Sequence, residues 1–143
     1  MTPRAFFETL QEHVDALTPK HVLVGVGEAP PYRQDENFHP YVILWPSPGT
    51  PLDERTVTGR MGGEASDLTF QVTVAAPDNM ALLSAAQDVT DALTDTRIEG
   101  SIIRPDSVFN RAARPLKDDS LRPVRHYMVT TWGTQLTRRK LYV

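Results

Sequence analysis

No cysteine occurs in the chain, which excludes disulfides, thiolate metal sites and a cysteine nucleophile. That absence fits a reducing interior without establishing one. No apolar run approaches the roughly 18 residues that a membrane span needs. The opening MTPRAFFETLQEHV carries Glu8 and Glu12 among its apolar residues, unlike the unbroken apolar core of a secretory signal. The chain is therefore expected to be soluble, with no membrane partner. Histidine is sparse, and His13, His21, His39 and His126 never fall at the spacing of a zinc-binding helix or beside a carboxylate as in a facial triad. Gly62-Gly63 lacks the following lysine and hydroxyl residue, and the strand-to-helix setting, of a phosphate cradle. None of Ser47, Ser66, Ser84, Ser101, Ser107 and Ser120 lies in a nucleophile elbow, and no dinucleotide-type glycine motif follows a strand. Asp118-Asp119 reads as a pair of solvated turn residues rather than as acid–base carboxylates or a magnesium site. These absences lead to the expectation of a protein without cofactor, metal or catalytic activity.

What is present begins with size. A chain of 143 residues fits one domain, residues 1–143, and at that size folding hides roughly 68–70% of the unfolded surface, enough for a core without staples. The net charge of -3 conceals a polarity along the chain. Through Glu99 there are 6 Lys and Arg against 15 Asp and Glu, and from Gly100 onward 9 against 3. A basic second part points either to nucleic acid or to a surface that docks on the acidic part of another copy. Docking is favoured, because nucleic-acid binders carry denser basic runs interleaved with aromatics.

The pattern organises around Asp67 to Ile98. Leu68, Phe70, Val72 and Val74 alternate with Thr69, Gln71, Thr73 and Ala75, the period of a half-buried strand. After Pro77, Asp78 is suited to cap a helix whose apolar stripe is Leu82, Ala85, Val89 and Leu93, with Ala86 and Ala92 beside it. Neither face can bury itself alone, so the helix is expected to fold back on the strand. Upstream, Thr2-Pro3 marks the start of a helix with Phe6, Leu10, Val14 and Leu17 as its stripe and Phe7 and His13 helping; Thr18-Pro19 ends it. Phe6 and Phe7 are read as core anchors. His21 to Val26 reads as a strand at or near the sheet centre, with Gly25 marking a bulge or close approach. Glu28 to Pro40 is an exposed loop, and Tyr41 to Trp45 is a strand buried on both faces.

Ser47 to Ser66, glycine-bearing and poor in apolar residues, is expected to be a flexible arm or an extended hairpin that becomes ordered on assembly. Ser101 to Ile103 is a possible short strand, Pro105 to Pro123 a polar arginine-bearing connection, and Val124 to Leu136 the last strand. Residues 137–143 form a tail ending in RRKLYV, expected to fray or to pack on a partner. The fold class is α+β: a single domain with a mixed, mostly antiparallel sheet of about four to five strands, two helices packed on it, and the long arm.

Three segments, HPYVILWPSPGTP from His39, DLTFQVTVAAPDNMALLSAAQDVTDAL from Asp67 and RPLKDDSLRPVRHYMVTTW from Arg114, resemble in pattern and order the tail terminator (tail completion, minor tail) proteins of long-tailed bacteriophages. The resemblance implies a structural virion protein, assembled in the host cytoplasm as a hexameric ring at the head-proximal end of the tail. Such a ring stops polymerisation of the tail tube protein and offers a surface to the head completion or connector protein. A ring uses unlike surfaces head to tail, and the opposite charges of the two sequence parts suit that contact. Arg111, Arg114, Lys117, Arg122 and Arg125 are the candidates for its basic side, or for a lumen in non-specific contact with passing DNA. The alternatives are another phage joining protein, such as a head–tail connector or tube-like protein, a small ligand-binding or enzymatic domain, or a nucleic-acid-binding regulator. The ligand-binding domain would need an enclosed pocket and the regulator an exposed basic face.

Overall fold

A computed structural model describes residues 1–30, 39–51, 65–120 and 124–137. Arg122, the RRKLYV tail, residues 52–64 of the glycine-bearing arm and residues 31–38 of the first loop lie outside the described residues.

The chain runs α1 (Pro3–Leu17), β1 (Leu23–Val26), β2 (Tyr41–Trp45), β3 (Thr50–Pro51), β4 (Ala65–Ala76), α2 (Asn79–Leu93), β5 (Arg97–Ile98), β6 (Ser101–Ile102), β7 (Arg104–Pro105), α3 (Ser107–Asn110), β8 (Leu116–Asp118) and β9 (Arg125–Thr137). The main sheet is ordered β1-β2-β4-β9-β7, with β3 on β4 and β8 on β9. Among the described residues β1 and β2 are the one parallel pair of the main sheet; its other pairs are antiparallel. This is the expected α+β class with a mixed, mostly antiparallel sheet.

β4 sits in the middle because it satisfies both neighbours. Its residues from Tyr41's partner Ala75 to Trp45's partner Gln71 pair with β2, and its whole length pairs with β9. Leu68, Phe70, Val72, Val74 and Ala76 face the helices and are all buried. Asp78 caps α2, its carboxylate accepting from Ala81 N–H at 2.8 Å, and the helix buries Leu82, Ala85, Ala86, Val89, Ala92 and Leu93. Strand and helix therefore meet through the two stripes read from the sequence. Thr2 caps α1 by accepting from Ala5 N–H at 3.2 Å, and Phe6, Phe7, Leu10 and Val14 complete the core.

Three expectations are corrected. β1 lies at the edge of the sheet, not near its centre, paired to β2 alone. Four residues with an uneven burial pattern leave its far side open to α1, whose Gln11 amide donates to Val24 O at 3.3 Å. Leu17 is 58% exposed, because the row Phe6, Leu10, Val14 steps by four and next reaches Thr18. Thr18 is buried, its hydroxyl donating to Val14 O at 2.8 Å. The polar connection after Pro105 holds a short helix, α3, capped by Asp106 through Val108 N–H and Phe109 N–H. A hairpin also precedes it: Glu99 and Gly100 both take positive φ, 47° and 89°, the geometry of a two-residue turn joining twisted strands. Gly25 does mark a close approach, since a Cβ there would collide with the carbonyl oxygen of Glu28.

Candidate assembly surfaces

α1 and α2 cover one face of the sheet, and their outward sides are acidic. Glu8, Glu12 and Asp15 are exposed on α1 and Asp91 on α2, with Asp88 half-buried. Arg4 is the one cation of α1, and it is engaged with Glu8 at 2.9 Å. α2 contains no Lys or Arg. Two large apolar side chains also lie on its outer side, Met80 at 76% and Leu83 at 49% exposure. Their spacing of three places them together on the helix surface.

The other face of the sheet is built from the alternate residues. Tyr41, Ala75 and Tyr127 share one cross-strand row, Ile43, Thr73 and Val129 the next, and Trp45, Gln71 and Thr131 a third. Trp45 lies over this face, its indole N–H donating to Thr73 Oγ1 at 2.9 Å. Across from it stands Phe109 of α3, 68% exposed. Trp45, Pro46, Gln71, Phe109 and Thr131 bound an open groove of about 370 Å³.

α3 is held at the edge of β9 by a side chain that substitutes for a strand. Between β7 and β8, Asn110 Nδ2 donates to Thr131 O at 3.0 Å, and Thr131 N–H donates to Asn110 Oδ1 at 2.7 Å. One amide thus supplies the donor and acceptor that a neighbouring backbone would. Asn110→Ala should cost about 1–3 kcal/mol by leaving the Thr131 N–H without its acceptor. Hydrogen exchange should show the protection of that amide lost. An unchanged exchange rate would mean that another group replaces the side chain.

Of the sequence-predicted cations that are described, Lys117 and Arg125 are placed on opposite faces of the β8–β9 ladder. Arg111 forms the C-cap of α3, and it and Arg114 are exposed. Lys117 pairs in register with His126 and makes an ion pair with Asp119 at 3.2 Å. Arg125 pairs in register with Asp118, so alternation sends it to the opposite face from Lys117. There it is half-buried, Nη1 donating to Tyr41 Oη at 2.9 Å and the guanidinium 5.4 Å from the ring centroid. Arg125 is a clamp on the sheet more than a free surface charge. Asp118 accepts from the hydroxyl and backbone N–H of Ser120. These bonds hold its carboxyl below the usual carboxylate range, helped by Arg125.

Sequence reasoning did not single out Trp45, Phe109 or Asn110 as surface features. The Asp106 cap before Ser107 was the available signal for α3.

Several polar side chains among the described residues have structural partners. An open depression of about 630 Å³ is lined by Asp67, Ser101, Arg104, Asp106 and Thr134 among others. In it Asp106 caps α3, the Thr134 hydroxyl donates to Ile102 O at 2.8 Å and Arg104 faces Asp95 at 4.0 Å. His13 bonds the Ala92 carbonyl at 3.2 Å, tying α1 to α2. Among the described residues no three His, Asp or Glu side chains are placed to hold a metal ion. Among them, too, no helix is long and apolar enough to cross a membrane. No protein-family model and no curated protein matches the chain.

Proposed function

We propose that this protein is a structural virion component: a ring that caps the head-proximal end of a phage tail tube, stops its growth and presents a surface for joining to the head. In this reading it turns over no substrate and takes no cofactor. The observation that supports it is that exposed acidic side chains and exposed arginines lie on different elements of the subunit. The helix layer is anionic on its outward side, through Glu8, Glu12, Asp15 and Asp91, while Arg111 and Arg114 stand on the segment along the β9 edge. One subunit with two unlike, complementary surfaces meets the requirement for head-to-tail closure into a ring. Its partners are then further copies of itself, the tail tube protein and a head completion protein, with DNA passing through the lumen.

The test is electron microscopy. Purified protein added to tail tubes should give one ring at one end of each tube, and a virus lacking the protein should make tails of uncontrolled length that fail to join heads. Normal, joined tails in that mutant would end the terminator proposal. Rings bound to heads and absent from tubes would move the protein to the neck.

A further inference from the structure

We infer that the Met80 and Leu83 ridge of α2 in one copy seats in the groove between Trp45 and Phe109 of the next. The inference rests on the proposal that copies of this chain assemble, and it specifies which surfaces meet.

Shape, charge and the placement of the two surfaces carry it. Met80, Leu83, Trp45 and Phe109 are four of the large apolar residues left exposed, at 76%, 49%, 39% and 68%, and they fall into two pairs, one convex and one concave. The groove of about 370 Å³ is wide enough for the end of an aliphatic side chain, and methionine fills irregular apolar spaces well. Trp45 is already oriented by its bond to Thr73, so little rotamer freedom is lost when a partner docks, as at interface hot spots.

Charge agrees with shape. The ridge lies on a helix that carries Asp88 and Asp91 and no cation. The groove is followed in the chain by Arg111 and Arg114, both exposed. α2 packs on the face of the sheet that buries Phe70 and Val72, whereas Trp45, Gln71 and Thr131 lie on the other. A subunit cannot place its own ridge in its own groove across the sheet, so the contact joins two copies through unlike faces. Strand addition is a poorer route. β8, Asn110 and β7 already occupy β9 at Arg125–Tyr127, Thr131 and Trp132–Gly133, and on β1 Gln11 occupies the Val24 carbonyl.

Two surface variants test the pairing. Met80→Ser with Leu83→Ser removes the ridge, and Phe109→Ser removes one wall of the groove; circular dichroism and melting temperature confirm that each still folds. Sedimentation over a concentration series should show self-association of the wild type weakened at least about tenfold in each variant, a change of 1.4 kcal/mol. An equimolar mixture of the two variants should form a one-to-one dimer and nothing larger, because each retains one intact surface. Wild-type association in both variants would overturn this pairing while leaving the ring proposal standing. A mixture that stays monomeric would overturn it, as would a wild type that never associates. Phe109→Ser that lowers the melting temperature without altering association would mean that the groove is filled within its own subunit, and the inference falls. If rings also never form on tubes, the proposed function falls separately.

Discussion

Phe70→Ala is expected to lower the free energy of unfolding by about 3–5 kcal/mol, the range for large-to-small changes in a packed core. Phe70 is 2% exposed on the central strand. Its ring meets Phe7 edge-on with centroids 5.5 Å apart and Phe6 at 6.0 Å, while Phe6 and Phe7 meet each other at 5.2 Å. Across the ladder its register partner is Trp132, itself 1% exposed. Truncation therefore removes apolar burial, opens a cavity between sheet and helix α1, and breaks two edge-to-face contacts, each contributing roughly 0.5–1.5 kcal/mol beyond burial. Phe70→Leu should cost less, since it keeps much of the volume and loses mainly the ring contacts. Denaturant unfolding measures both. A loss below about 1 kcal/mol for the alanine variant would place Phe70 outside the core and make the β4 register wrong.

The second large effect concerns assembly. Replacing Arg111 and Arg114 together by Glu should leave the fold intact, because both side chains are exposed. Each exposed ion pair contributes only about 0.2–1 kcal/mol, yet reversal adds repulsion of similar size to the lost attraction. Two reversals then amount to about 1–4 kcal/mol, or roughly fivefold to several-hundredfold in association or docking on tubes. Wild-type association should weaken as salt rises, and the variant's salt dependence should flatten or invert. Arg125→Glu is not an equivalent probe. Its guanidinium is bound to Tyr41 within the subunit, so its loss disturbs the sheet as well. Unchanged association in the double variant, with wild-type salt dependence, would remove these two arginines from the interface.

How much of this was legible in the sequence depends on how local its causes are. β4 and α2 could be read from residues 67–98 because period two and a stripe near period 3.6 are properties of one segment, and the Asp78 cap is satisfied three residues away. The same holds for Thr2 and Pro3 at the start of α1, for Tyr41 to Trp45 as a strand with two buried faces, and for the close approach at Gly25. The acidic and basic parts of the chain were also countable directly.

Only the tertiary structure decided which strand lies beside which. His21 to Val26 has the composition of an inner strand, but β2 pairs with β4 on its other side, and that choice leaves β1 at the edge. Leu17 is as apolar as Leu10, and which of Leu17 and Thr18 continues the buried row Phe6, Leu10, Val14 is seen only in the packed helix. Arg125 and Tyr41 are 84 residues apart, and no pattern within either segment announces their bond. Asn110 looks like an ordinary loop residue until the gap between β7 and β8 gives its amide a strand edge to complete. Trp45 and Phe109 form a groove only because β2, β4, β9 and α3 are brought side by side. Periodicity specifies which face of an element is apolar, since that is set by backbone geometry within a few residues. Neighbour choice is settled by many small contacts between distant segments acting together, and these exist only once the chain has closed on itself.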